Sequence, residues 1–396
     1  MSLPLEGITV LDLSRQLPGP VATQILADFG ADVIKVEDTG RGDEFRYVAP
    51  LKNDVSTRHM MLNRNKRGLS INLKSEQGRA LFLQLAAKAD VVFEQFRPGV
   101  VKRLGIDYES VRVVNPKIVY LSLSGFGQDS PYRDVVAHDP NYLAVSGVLS
   151  LLGRRGDAPA MSGPQISDLA AAHMATIGIL AALRRAEREG QGDYIDVALA
   201  DSAFAMTVTA LSTYVGTGTA PIRGQERHNG RYPWSDIYRC ADDGYVTISA
   251  IESHFYRNLC HAMGHPEWET LQYADDEEQD KIRTELQRIF LRHNRDEWFE
   301  LLKDKELCIS PVLSVAEAAQ SEQVKARGSL LPHVHPKAGE ISLLMSPIRM
   351  KHAPAQIRRP APALGEHTGE ILASVGVDSA KLAELVAAGV VFVSKA

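Results

Sequence analysis

Between Ile8 and Leu123 short apolar runs alternate with helix-length stretches, and this alternation limits the possible folds more than any other feature of the chain. The runs Ile8–Leu13, Asp32–Val36, Leu69–Leu73, Asp90–Phe96 and Ile118–Leu123 read as strands. Val21–Phe29 reads as a helix opened by Pro18-Gly19-Pro20, and Ser75–Ala89 as another. Strands that alternate with helices build a mostly parallel sheet covered on both faces, so the expected class is α/β. In such sheets ligands bind beyond the carboxyl ends of the strands. The polar groups expected there are Arg15, Lys74, Gln95 and Arg97, a basic set suited to an anionic ligand carrying phosphates. Each alone also reads as a solvated loop charge. Glu37 closes the second strand as in a dinucleotide site, yet Leu17–Ala22 has one glycine where the pyrophosphate turn needs several, which argues against NAD(P).

Pro164 to Gly190 predicts one helix. It is apolar or small from Leu169 to Leu183, interrupted mainly by His173 and Thr176, and is expected to be buried. Ser167 and Asp168 are N-cap types, Arg184, Arg185 and Arg188 suit the negative end of the dipole, and Gly190 ends it. On the residues alone Asp168 reads first as a cap. The positive end of a buried helix is also a place to stabilise developing negative charge.

Further along, Tyr194–Ala198 reads as a strand, and Gly218–Pro233 as a linker or mobile loop. A hairpin signal at Ala241–Gly244 and helices over Phe255–Met263 and Gln279–Asp304 indicate a smaller α+β domain. The expected division is 1–216 as the first part of a large domain, 217–330 as the small domain with its linkers, and 331–396 returning to the large one. Cys240, Cys260 and Cys308 fit no zinc spacing or disulfide framework and point to a reducing compartment. A net charge of -5 gives no basic footprint for nucleic acid. Neither a signal peptide nor a bilayer-length apolar run is evident, so no membrane and a cytoplasmic location are expected.

Three acid–base candidates stand out: His138 in His138-Asp139-Pro140-Asn141-Tyr142, Asp168, and Glu252 after Ala250-Ile251. His138 also reads as a polar loop residue and Glu252 as a helix cap. No HExxH or GxSxG pattern occurs, so neither a zinc-protease site nor an α/β-hydrolase elbow is indicated.

The segments LPGPVATQILADFGADVIKVE, NRNKRGLSINLKSEQG, ADVVFEQFRPGVVKRLG, IVYLSLSGFGQ, HDPNYLAVSGVLS, REGQGDYIDVALAD and LGEHTGEIL run through nearly the whole chain. With them the chain resembles the family III CoA-transferase (CaiB/BaiF) superfamily, which includes the α-methylacyl-CoA racemases. The resemblance implies a Rossmann-like large domain, a smaller α+β domain and an interlocked homodimer. It implies an acyl-CoA thioester substrate, with CoA as part of the substrate and no metal or separate cofactor. CoA contacts are implied at Ile71, Asn72, Leu73, Lys74, Gln95, Phe96, Arg97, Arg103, Ala137, Asp139, Asn141 and Tyr142. The HDxNY segment and the strand ending in Ala-Ile-Glu resemble the racemase branch, where His138 and Asp168 exchange the α-proton and Glu252 orients His138. Asp38, and Asn229–Trp234 in place of GGAPxY, depart from that branch. The alternative is a CoA transferase in which Asp168 becomes acylated and then carries CoA. A non-catalytic CoA-binding subunit is a third reading, which the retained Asp168 disfavours.

Overall fold

The computed structural model describes residues 2–394. Its strands, in chain order, are β1 Thr9–Asp12, β2 Asp32–Glu37, β3 Leu51–Lys52, β4 Val55–Ser56, β5 Lys66–Ile71, β6 Val91–Glu94, β7 Val119–Ser124, β8 Asp193–Ala198, β9 Ser235–Arg239, β10 Tyr245–Ser249, β11 Ile309–Pro311, β12 Leu330–His335, β13 Gly339–Leu344 and β14 Val391–Phe392. The main sheet is seven-stranded in the order β14-β5-β2-β1-β6-β7-β8. All its pairings are parallel except that of β14 with β5. The chain therefore winds outward from β1 through β2 to β5, returns to β6 on the other side of β1, and winds outward again. Such a reversal opens a crevice at the carboxyl ends of β1 and β6.

Alternation along the strands feeds a core on each face. Leu11, Ile34, Val36, Leu69, Ile71 and Val92 pack with the helices Glu76–Ala86, Thr368–Ala373 and Ser379–Ala387. Val10, Val33, Val91, Phe93, Val119, Leu121 and Leu123 pack with the helices Pro18–Asp28 and Ile166–Glu189. The strands are thus apolar on both faces, as a doubly covered parallel sheet requires.

The helix Ile166–Glu189 departs from two expectations. One face is buried through Ala171, Ala172, Ala175, Ile179 and Ala182, but Met174, Ile177 and Leu180 are exposed. Its 24 residues include a window of mean hydropathy 1.6, long and apolar enough for a span by length and composition alone, where no such run was expected; a core helix packed on a sheet, as this one is, meets the same test. His173 and Thr176 conceal this in the sequence. The Thr176 hydroxyl donates to the Ala172 carbonyl within the helix, which lowers the burden of its polarity.

The chain divides into two compact units. The first comprises residues 1–146, 164–205 and 322–396; the second comprises 147–163 and 206–321. In the second, β11-β10-β9 form an antiparallel sheet whose Trp234, Tyr238, Val246 and Ile248 pack with residues of the helices Ser253–Met263, Asp276–Phe290 and Arg295–Leu302. The segment 147–163, which the sequence grouped with the N-terminal part, packs here. Arg223 donates to the carbonyls of Ser150 and Asp157, and Arg154 to that of Ile237. The former contacts also fasten the stretch expected to be a linker.

Candidate active site

A cavity of about 350 Å³ opens at the crevice between the ends of β1 and β6. Its lining comes wholly from the first unit and includes Arg15, Gln16, Gln95, Phe96, Arg97, Ser124, Gly125, Arg133, Ala137, His138, Tyr142 and Asp168. Five chain segments supply it. Arg15 and Gln16 follow β1; Gln95 to Arg97 follow β6; Ser124 and Gly125 end β7; Arg133 to Asp168 come from the long crossover to β8; and Leu199 follows β8.

Close approaches fix these segments. The buried Glu94 carboxylate accepts from the Phe96 N–H at 2.8 Å and shapes the turn that presents Gln95 and Arg97. Burial pushes this carboxyl up to about 7 despite hydrogen bonds from Ser122 and Phe96. The Gln95 side-chain oxygen accepts from the Gly19 N–H at 3.2 Å. A Cβ at Gly19 would lie 2.2 Å from that of Ser14, so only glycine permits this packing. A Cβ at Gly125 would lie 2.7 Å from the Tyr142 hydroxyl, which itself donates to the Ala137 carbonyl at 3.0 Å.

The expected capping role of Asp168 is corrected. Gln165 is the N-cap, and Asp168 stands in the first turn of the helix. The capping carboxylate is Asp139, from a neighbouring segment. Its Oδ1 accepts from the N–H groups of Ser167 at 2.8 Å and Asp168 at 3.1 Å, and from the Ser167 hydroxyl at 2.6 Å. These donors form the helix end expected to stabilise developing negative charge; the cap occupies them. Asp168 faces the cavity with no hydrogen-bond partner for its carboxyl among the described residues. Burial, with the adjacent negative Asp139 adding to it, pushes its carboxyl up to about 7.

Of the residues implied by resemblance, the cavity gathers Gln95, Phe96, Arg97, Ala137, His138, Tyr142 and Asp168. Ile71 is 1% exposed in the core, its main chain paired with β14. Asn72, Leu73, Lys74 and Arg103 lie outside the lining, and Arg103 is exposed on the short helix Val100–Leu104. Asn141 accepts from the His138 N–H at 3.0 Å and so caps the helix Asp139–Val145. Glu252 belongs to the second unit, at the N-cap position of the helix Ser253–Met263. Gln16 and Arg133 were not singled out as site residues. The strand-end rule that found Arg15 also reaches Gln16, whereas no local signal marks Arg133. Among the described residues no group of three or more His, Cys, Asp or Glu side chains converges as a metal would require.

The sequence profile of CoA-transferase family III matches residues 5–368. The chain belongs to this family. It is 34% identical over 385 residues to the acetyl-CoA:oxalate CoA-transferase of Acetobacter aceti, covering 96% of this chain and 97% of that protein. It is 32% identical over 387 residues to the alpha-methylacyl-CoA racemase of Homo sapiens, covering 96% of each. The crystal structure of a CAIB/BAIF family protein from Brucella suis superposes with a TM-score of 0.84 at 28% identity, over 95% of this chain and 100% of that one. Family III members thus include both transferases and racemases at similar distance. The α/β fold with its mostly parallel sheet is the one shared with that CAIB/BAIF structure.

Proposed function

We propose that this family III protein is a racemase that inverts the α-carbon of 2-methylacyl-CoA thioesters. The observation that carries the reading is that His138 and Asp168 line one cavity, with the Asp168 carboxyl held near neutrality. A thioester α-hydrogen is a weak acid, and inversion needs a base on one face of the carbon and an acid on the other. A carboxyl raised to about 7 has both protonation states available at neutral pH, as general acid–base work requires. One of the pair removes the proton to give an enolate, and the other returns a proton to the opposite face. With the Ser167 and Asp168 N–H groups engaged by Asp139, the enolate draws on other donors of the lining, among them Gln16, Gln95 and the arginines. Arg97 would hold a phosphate of CoA. The exposed stripe Met174, Ile177 and Leu180 fits coverage by a second copy in an interlocked dimer.

The second reading is CoA transfer to a carboxylic acid, favoured by the unpaired Asp168 carboxyl and by the transferases among the relatives. There Asp168 attacks the thioester carbonyl and expels CoA thiolate, giving a mixed anhydride; the thiolate then attacks the Asp168 carbonyl and releases the donor carboxylate, leaving an aspartyl-CoA thioester that the acceptor carboxylate takes apart in the reverse sense. Incubation of the protein with (R)- or (S)-2-methylacyl-CoA in D₂O separates the two. Racemisation places deuterium at the α-carbon and erodes optical purity without an acceptor acid. Absence of α-exchange, with CoA found on Asp168 by mass spectrometry, would leave the transferase.

A further inference from the structure

Beneath one wall of the cavity lies a cluster of charges that acid–base chemistry at Asp168 does not use. Asp12, Lys35, Asp43 and Lys66 are each buried without exposure. They hold Ser14 and Gln16 in the segment that follows β1. Asp12 Oδ1 accepts the Ser14 N–H at 2.9 Å and also takes the Ser14 hydroxyl. Asp12 Oδ2 accepts from Lys66 Nζ at 3.0 Å and the Thr23 hydroxyl at 2.7 Å. Lys35 Nζ donates to the Ser14 carbonyl at 3.1 Å and to Asp43 Oδ2 at 2.8 Å. Asp43 Oδ1 faces the other way, accepting from the N–H groups of Gln16 at 3.2 Å and Phe45 at 3.0 Å. Asp38 and Glu44 then take the side chains of Arg15 and Gln16, each at 3.1 Å.

Gln16 is the strained point of this grip. Its φ is +62°, a conformation that a non-glycine residue keeps only when its surroundings impose it. Arg15 and Gln16 both line the cavity. The two oxygens of Asp43 therefore have separable tasks, one toward the loop and one toward the buried lysine. A buried ion pair is weak as a source of stability, because apolar residues of similar volume serve as well. A pair kept here and tied to a strained loop at a cavity wall has a better explanation in geometry.

We propose that Asp43 is a positioning residue of the reaction: one carboxylate oxygen holds Gln16 in its left-handed turn, which aims Arg15 and Gln16 into the cavity, while Lys35 anchors the other. The inference rests on reading the cavity as an acyl-CoA site.

Two substitutions separate positioning from plain structural support. Asp43→Asn retains an oxygen for Gln16 and Phe45 but loses the charge toward Lys35. Asp43→Ala loses both. The two are compared by melting temperature, by calorimetric affinity for coenzyme A, and by turnover in the α-exchange assay at a temperature where both are folded. Both variants should melt below the parent. Asp43→Asn should keep turnover and CoA affinity within about threefold, whereas Asp43→Ala should lose about tenfold or more in turnover. A crystal structure of Asp43→Ala should show Gln16 relaxed to negative φ, and one of Asp43→Asn should show it retained. Equal activity in the two variants, or losses that follow melting temperature alone, would overturn the inference. A parent protein that neither binds CoA nor exchanges α-hydrogen would overturn the functional reading. In that case the crystal structures still decide whether Asp43 sets the Gln16 turn.

Discussion

Asp168→Asn should stabilise the fold in alkaline buffer and do nothing for it in acid. The unfolded carboxyl ionises near 3.8, the folded one near about 7, because burial and then Asp139 disfavour the anion. Between those values the folded protein holds a proton that the unfolded chain has released. Stability therefore falls as pH rises from about 4 to about 7, and the full penalty stands above that. A difference of about 3 units corresponds to about 4 kcal/mol at 1.36 kcal/mol per unit. Asp168 borders an open cavity, so solvent screening reduces this to roughly 2 kcal/mol. At about 2–4 °C per kcal/mol for a domain of this class, the variant should melt roughly 4–8 °C above the parent at pH 8. The assay is thermal unfolding of both proteins at several pH values from 4 to 8, read as the difference between them. Glu94, also raised to about 7, contributes the same slope to both and cancels. A gap that is constant across pH, or an Asn variant that melts below the parent at pH 8, refutes the placement of an unpaired, desolvated carboxyl at this position.

Arg97→Ala should raise the KM for acyl-CoA about tenfold or more with a smaller change in kcat, since a charge-assisted contact contributes about 1.5–3 kcal/mol; steady-state kinetics showing an unchanged KM would remove Arg97 from the phosphate site. Sedimentation should find a dimer at the lowest measurable concentration, because interlocked chains separate only on unfolding, and a folded monomer in dilute buffer would contradict the interlocked assembly.

Local pattern was enough for much of this protein. Apolar runs separated by helix-length segments determined the parallel sheet, because burial on both faces leaves strands no polar side. Strand-end placement found Gln95 and Arg97, and the apolar run after Asp168 determined the long helix. The residues alone marked His138, Asp168 and Glu252 as acid–base candidates, and the first two line one cavity in the fold.

Other features depend on pairings that no local pattern encodes. The order that seats β1 beside β6, and so opens the cavity, follows from the chain's return across the sheet. The tail strand β14 completes an edge through partners some 320 residues away in sequence, Val391 with Ile71. Asp139 took over the cap that Asp168 was expected to supply, which left Asp168 unpaired in the cavity. The sequence by itself determined the six parallel strands of the main sheet and the long helix Ile166–Glu189, because propensity and hydrophobic period act over a few residues. Only the tertiary structure decided which carboxylate is satisfied and which is left to titrate near neutrality, because desolvation and long-range hydrogen bonds exist only once distant segments meet.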